Sequence, residues 1–478
     1  MPFDDDDEAV AIANDSIYGL GGGVFSNDIG RAERIASRVK TGTVWIDDLT
    51  MSESEPKITC RPAQISPNGD GVNDTAALRL RIPGKCSLTV EVLDAAGTVV
   101  STLEKDRELQ SAALELEWAA LVDGKPVPAG EYTARVTFTG EREGAVKGGI
   151  TVVDLPPWPE VKYEAEPFFP IGAWFEGAPS MNKGGDTPEA ARKYYDTCFS
   201  DMAAHGLNAI AVPNCPEHLW ETLLQAAQDH GIRVCLEVAP LVGLVSQSEP
   251  VTETDATARV KAVVDKIGKY DSLLRYQIRD EPFDQMLPNW KLVQRILAAL
   301  DPKHPAFSCF CSDGALGTLA SQATLSEAVF DIYPLRAGDK PPTIGGFQDL
   351  LDRFKRASAG NPMWIVLQTF ECPPPSWRYP TAEALRCMTY LSLAAGVQGA
   401  FFFIHQYMPD YLHGLTDPLT GQAQPLYETV SQLAKELQTL APLLLSAKPG
   451  APQGHVMGTV RVGCLQTADG KPLYILAN

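Results

Sequence analysis

The stretch LLRYQIRDEPF, residues 273–283, decides how the larger part of this chain is read. It opens as an apolar run of strand length, turns polar at Arg279-Asp280-Glu281, and meets Pro282, which lacks a backbone donor and ends the strand. The proline also keeps the residue before it out of the right-handed helical region, so the chain itself sets the direction of the Glu281 carboxylate. Outward from this run the pattern recurs in FFPIGAWF (168–175), LNAIAVPN (207–214), IRVCLEVA (232–239), PAFSCFC (305–311), AVFDIYPL (328–335), MWIVLQTF (363–370) and GAFFFIHQ (399–406), eight strand candidates in all. Amphipathic segments such as PEAARKYYDTCFSDMAAHG, PEHLWETLLQAAQDHG and PTAEALRCMTYLSLAAG lie between them, several closed by a glycine suited to a helix C-terminus. This alternation predicts a (β/α)8 TIM barrel over residues 166–441, with PLYETVSQLAKELQTLAPLL as the eighth helix. A doubly wound open sheet would want a glycine-rich loop after its first strand, where this chain has aromatic residues.

The flanking segments are different in kind, and the whole reads as a multidomain chain. Residues 62–153 carry short alternating strands, SLTVEVLD, TVVSTLE, ALELEWAAL and EYTARVTFTG, separated by turn signals such as Ala96-Gly97 and Asp123-Gly124. They predict an Ig-like β-sandwich, set off by linkers at 49–61 and 154–165. Residues 1–48 read as a short α/β fragment, and 442–478 as a hairpin or the start of a truncated β-sandwich around Ala468-Asp469-Gly470.

Forty basic residues against sixty acidic ones leave a formal charge of −20, a field that repels phosphate backbones and anionic lipid heads. Nucleic acid and membrane surfaces are therefore not expected as partners. The longest apolar stretch, Leu391 to Ile404, is broken by Gly396, Gln398 and Gly399 and is too short for a bilayer span. Ten cysteines are scattered, several inside apolar runs, and read as small buried hydrophobes. No C-x-x-C pair or Cys/His ligand cluster occurs, so neither a metal nor another cofactor is expected. In the loop 68–74, Asn68, Asp70, Asn73 and Asp74 offer oxygens of the kind calcium takes, but off EF-hand spacing, and a self-satisfied Asx turn is the simpler expectation. Gly21-Gly22-Gly23 lacks the spacing of a phosphate loop. The N-terminus, MPFDDDDEAV, has neither a basic nor an apolar region of the kind that directs secretion.

In a barrel of this type reactive groups gather at the C-terminal strand ends. The fourth strand ends on Asp280-Glu281 and the seventh on Gln368-Thr369-Phe370-Glu371. Two carboxyl groups across one mouth are the requirement for glycosidic cleavage, in which one donates a proton and the other attacks or activates water. Flat apolar faces and hydrogen-bonding groups near strand ends would hold a sugar: Trp174, Asn214, Glu237, Asp280, Asp331, Tyr333, Gln368, Trp377, His405, Gln406 and Tyr407.

Three resemblances sharpen these expectations. Residues 3–48, FDDDDEAVAIANDSIYGLGGGVFSNDIGRAERIASRVKTGTVWIDD, resemble the late catalytic-domain segment of aldehyde dehydrogenases, whose nucleophilic cysteine, general-base glutamate and dinucleotide domain would lie upstream. SPNGDGVNDT (66–75), VLDAAGTVVSTL, Trp118 and DGKPVPAGEYTARV resemble the Ig-like domain first named from the flagellar hook-capping protein and frequent in secreted bacterial proteins, which implies a spacer or docking module and an extracellular or envelope setting. The barrel resembles the retaining glycoside hydrolases whose acid/base glutamate follows strand four in an Asn-Glu-Pro motif and whose nucleophile glutamate ends strand seven. That resemblance implies Glu281 as general acid/base, with Asp280 where the asparagine usually stands. Gln368 falls near the usual nucleophile position, and either Glu371 takes that role or a carboxylate elsewhere does. A catalytically silent carbohydrate-binding barrel is the alternative. Because the dehydrogenase-like segment brings none of that family's catalytic groups, the purified chain is expected to produce no NADH from any aldehyde; NADH formation lost on deleting residues 1–48 would contradict this.

Overall fold

A computed structural model describes residues 6–14, 22–26, 35, 38–39, 44–48, 56–82, 84–109, 112–141, 143–182, 185–336, 344–372, 376–406, 412–417, 422–449 and 460–477. The chain divides into two compact units, 1–155 and 156–478.

In the first unit, a helix (Asp6–Asn14) precedes two parallel strands, Gly22–Ser26 and Val44–Asp48. The rest of this unit is a β-sandwich. One sheet orders Lys57–Arg61, Ala76–Ile82 and Ala112–Trp118, and the other orders Gln64–Ile65, Gly144–Val152, Gly130–Gly140, Cys86–Leu93 and Val99–Leu109. Its first strand thus begins ahead of residue 62. Strict alternation along Ala76–Ile82 turns Leu78, Leu80 and Ile82 inward against Val90, Val92, Val136 and Ile150 of the other sheet, around Trp118. The Tyr132 hydroxyl donates to the Pro128 carbonyl at 2.7 Å, a local tie that sets the corner before its strand. In the 68–74 loop the acidic groups serve their own backbone. Asp74 accepts from the amides of Gly69 and Gly71 at 2.7 and 2.6 Å, and Asp70 accepts from Val72 at 2.8 Å. The Asp70 contact is an Asx turn and Asp74 reaches back to close the loop, with Gly69, Gly71 and Asn73 supplying the positive φ it needs.

The second unit is built on one parallel sheet whose strands are Ile171–Trp174, Ala209–Val212, Arg233–Glu237, Leu273–Gln277, Ala306–Phe307 with Cys309–Phe310, Ala328–Ile332, Met363–Gln368 and Ala400–Phe403. The sheet begins at Ala306–Phe307 and ends at Cys309–Phe310, two halves of the fifth strand separated by Ser308, so it closes on itself. Each strand is followed by a helix: Pro188–Ala204, Trp220–Asp229, Glu253–Ile267, Leu287–Leu300, Asp313–Ala320, Ile344–Ala357, Ala382–Ala395 and Pro425–Ser446. This is the (β/α)8 barrel, and its strands fall inside the eight runs read from the sequence. Threonine and serine N-caps at Thr187, Thr252, Ser312 and Thr381 accept first-turn amides and start four of these helices where the strand ends require.

The barrel interior is packed. Trp174, Cys235, Phe307, Cys309, Val329, Trp364, Val366 and Phe401 share one cluster. One charged pair is sealed in with them: Arg275 of the fourth strand grips Glu327 through Nε–Oε1 at 2.7 Å and Nη2–Oε2 at 3.0 Å, with its guanidinium 5.2 Å from the centre of the Trp364 ring. Beyond the last helix, strands Lys448–Pro449, Arg461–Gln466 and Pro472–Ala477 form an antiparallel sheet that packs on the helix Ala382–Ala395. Gly463 permits that approach, since a Cβ there would stand 2.3 Å from the Ala394 carbonyl oxygen. Among the described residues no helix is long and apolar enough to cross a membrane.

Glu327→Gln leaves the Arg275 charge buried without its counter-charge and is expected to cost about 3–5 kcal/mol in urea denaturation. A loss below about 1 kcal/mol, the scale of an exposed pair, would mean that water reaches this pair.

Candidate active site

Closure of the barrel brings the eight C-terminal strand ends to one mouth, and the first function of several polar residues there is to hold loops. Gln368 is fully buried at the end of the seventh strand. Its Oε1 accepts from the Leu335 amide at 3.0 Å while its Nε2 donates to the carbonyls of Leu335 and Arg378 at 3.1 and 3.0 Å. Gln406 does the same for the first loop, accepting from the Glu176 amide at 3.0 Å and donating to the Glu176 carbonyl at 3.4 Å. Both amides are committed to backbone, which leaves neither free to meet a sugar.

Trp174 fills the interior between Phe307, Phe401 and Phe403, with ring centres 6.1–6.4 Å away, and is 4% exposed; it offers no open face. His405 is likewise sealed, with Nε2 3.5 Å from the Tyr427 hydroxyl. Burial, assisted by the neighbouring His205, pushes its pKa down to about 3, so it stays neutral. Tyr407 lies outside the described residues.

A cavity of about 600 Å³ opens beside the fourth to eighth strand ends, and Glu281, Asp331, Tyr333 and Trp377 line it together with Cys311, Arg336, Phe370 and Phe403. Glu281 stands at the exposed rim in a left-handed backbone conformation, φ +48°, with its amide donating to the Cys309 carbonyl at 2.9 Å. For a residue with a Cβ this conformation costs on the order of 1–3 kcal/mol, and such strain gathers at functional positions. Tyr333 and Phe370 meet edge to face at 5.1 Å, Phe370 and Trp377 lie 5.8 Å apart, and the Arg336 guanidinium sits 5.6 Å from the centre of the Trp377 ring.

Asp280, next to the rim glutamate, has its pKa pushed up to about 7, chiefly by burial and then by the charges of Glu281, Asp331 and Glu237, against Arg279. Asp331 also reaches about 7, from burial first and Glu281 second. Among the described residues neither Asp280 Oδ1 nor Asp331 Oδ1 has a hydrogen-bond partner. Burial raises Glu237 as well, and it raises the buried Glu176, whose Oε2 accepts from Asn214 at 3.0 Å and whose Oε1 accepts from the Ala178 amide at 3.1 Å.

Glu371 lies elsewhere. It lines a separate cavity of about 390 Å³ with His413, Tyr379, Thr381 and Gln424, and its Oε1 is held by His413 Nδ1 at 2.7 Å, while the two residues also pair through their backbones. The structure therefore brings Glu281 together with Asp331, Tyr333 and Trp377, and places Glu371 in a different cavity. Glu176 and Cys311 were missed in the sequence; the signal for Glu176 was an acid directly after the first strand, in FFPIGAWFEG. Among the described residues no group of His, Cys, Asp and Glu side chains is arranged to hold a metal ion.

Comparison with known proteins gives two results for different parts of the chain. The model of the aldehyde dehydrogenase family matches residues 1–59. Over this stretch the chain is 59% identical across 51 residues to succinate-semialdehyde dehydrogenase [NADP(+)] of Deinococcus radiodurans, covering 11% of each chain, and 52% identical across 47 residues to betaine aldehyde dehydrogenase of Bacillus subtilis, covering 10% of each. The chain thus spans about a tenth of the length of the curated relatives it matches. Among solved structures, a beta-glucuronidase of an uncultured Clostridium is similar over 80% of this chain and 68% of its own, at 12% identity and a TM-score of 0.42. One from Ruminococcus gnavus is similar over 79% and 68%, at 15% and 0.44.

Asp280 and Asp331 bind protons more tightly folded than unfolded, so the stability they confer is whole below about pH 4 and is lost as pH rises through about 7. The double variant Asp280→Asn/Asp331→Asn is expected to flatten the fall in urea midpoint between those values; an unchanged slope would show that the two carboxyls are solvated.

Proposed function

We propose that the barrel hydrolyses O-glycosidic bonds, with Glu281 and Asp331 as its paired carboxyl groups. The observation that carries this reading is that the two share one cavity at the C-terminal mouth with Tyr333, Phe370, Trp377 and Phe403, apolar faces against which a pyranose ring can lie. Sequence reasoning assigned the proton to Glu281. Burial of Asp331, with its pKa about 7, supports reading it as the carboxylic acid that protonates the leaving oxygen, with Glu281 at the open rim as the carboxylate that attacks the anomeric carbon. On departure of the alcohol Asp331 is left ionised and takes a proton from the water that releases the glycosyl group from Glu281, so proton and bond counts close and anomeric configuration is retained. Glu371, tied to His413 in its own cavity, is not needed in this scheme.

The test is hydrolysis of aryl glycosides and polysaccharides by the full chain and its variants. Glu281→Gln and Asp331→Asn are each expected to lose at least about 100-fold in kcat, while Glu371→Gln keeps parental activity. The parent's kcat should fall as pH rises through about 7, because the donor must hold its proton. Loss of activity in Glu371→Gln with Asp331→Asn unaffected would return the catalytic role to the seventh strand. A parent that binds oligosaccharides and cleaves none would make this a carbohydrate-binding barrel.

A further inference from the structure

The field at the mouth is specific enough to select a class of sugar. Resting on the glycosidase reading, we infer that the cavity excludes sugars carrying a carboxylate or sulfate and binds best a ring bearing an ammonium group, an amino sugar. Glu281 and Asp331 line the cavity, and Asp280 lies directly beside Glu281 in the chain. Glu237, at the end of the neighbouring third strand, adds its charge to that felt by Asp280. Burial first and the neighbouring carboxylates second make these groups hold protons that isolated carboxyls would release, so a further anion placed among them meets both the desolvation and the repulsion.

Among the described residues two cations bear on this group. Arg279 lies next to Asp280 and moderates both it and Glu237. Arg336 is exposed at the far rim, over the Trp377 ring. Of the other titratable groups lining the cavity, Cys311 and Tyr333 have pKa values raised by burial first and by nearby carboxylates, Cys311 to about 11, so these two are neutral near pH 7 and add no charge; Cys372 also lines it.

Hydrogen bonding points the same way. Among the described residues Asp280 Oδ1 and Asp331 Oδ1 are buried acceptors with no hydrogen-bond partner, and the one such donor on a lining residue, Trp377 Nε1, can give to a sugar hydroxyl. A ligand rich in N–H and O–H donors satisfies such acceptors, whereas a carboxylate or sulfate brings acceptors only. The ammonium of an amino sugar supplies three donors and the charge that the mutual repulsion favours.

Binding of glucosamine, glucose and glucuronic acid to the full chain, followed by calorimetry or by ligand NMR, tests the inference. At about pH 7 glucosamine is expected to bind at least about fivefold more tightly than glucose, the worth of one ion pair in water, and glucuronic acid more weakly than glucose. The glucosamine preference should grow from about pH 5 to about pH 7 as Asp280 and Asp331 ionise, and Asp331→Asn should shrink it more than it weakens glucose. Glucuronic acid binding as tightly as glucose or better, with the advantage lost in Arg336→Ala, would overturn the inference and identify Arg336 as an anion receptor. Absence of binding by all three sugars overturns it too. If the predicted order holds while no glycoside is hydrolysed, the selectivity stands and the catalytic reading fails.

Discussion

The arrangement of the mouth depends on how the fifth barrel strand shares its hydrogen bonds. Ala306 and Phe307 pair with the fourth strand, and after Ser308 the next two residues pair with the sixth. Ser308 is itself anchored, its hydroxyl accepting from the Trp290 indole N–H at 2.8 Å on the helix behind. One residue further the Cys309 carbonyl accepts from Glu281, so the strand that closes the barrel also fixes the rim carboxylate. Pro282 removes the donor that could have extended the ladder, and Glu281 turns into its left-handed conformation at that point. Closure and the placement of the candidate nucleophile are thus one hydrogen-bonding event.

The barrel was legible because its signals are local. Apolar runs of strand length, N-capping threonines and closing glycines depend on near neighbours, and they survive any rearrangement of loops. The mouth was legible only in part. Glu281, Asp331, Tyr333 and Trp377 could be named from strand ends, yet the sequence reading gave the second catalytic role to Glu371 and only a sugar contact to Asp331, since both are acids near the end of a strand. What separates them is long-range: Asp331 lies within the sheet strand and faces the cavity of Glu281, whereas Glu371 has left the sheet and pairs with His413, forty-two positions onward. Trp174 and His405 looked open because they stand near strand ends, and they proved to be filled around by Phe307, Phe401 and Tyr427, which no spacing rule could reveal.

The two units draw their order from different sources. The sandwich takes its core from alternation across two sheets and uses its acidic loop to satisfy backbone amides, so its carboxylates are structural. In the barrel the buried Arg275 is paired with Glu327, and at the mouth, where Gln368 and Gln406 are bound to backbone, single oxygens of Asp280 and Asp331 are left without partners among the described residues. Incomplete satisfaction at Asp280 and Asp331 costs stability, and unfilled hydrogen-bonding capacity is what a binding cavity has to offer.

The amide of Gln368 has a consequence for attempts to rebuild the chemistry of this barrel. It stands near the end of the seventh strand, and exchange for glutamate looks like the shortest route to an acid there. A carboxylate there would keep an acceptor for the Leu335 amide but would press its charge against the carbonyl oxygens of Leu335 and Arg378, both of which now receive an N–H. The loop after the sixth strand, which carries Tyr333 into the cavity, would be pushed away by the very residue meant to act beside it. In the proposed scheme the end of the seventh strand serves architecture, and the reacting pair stands on the fourth and sixth strands.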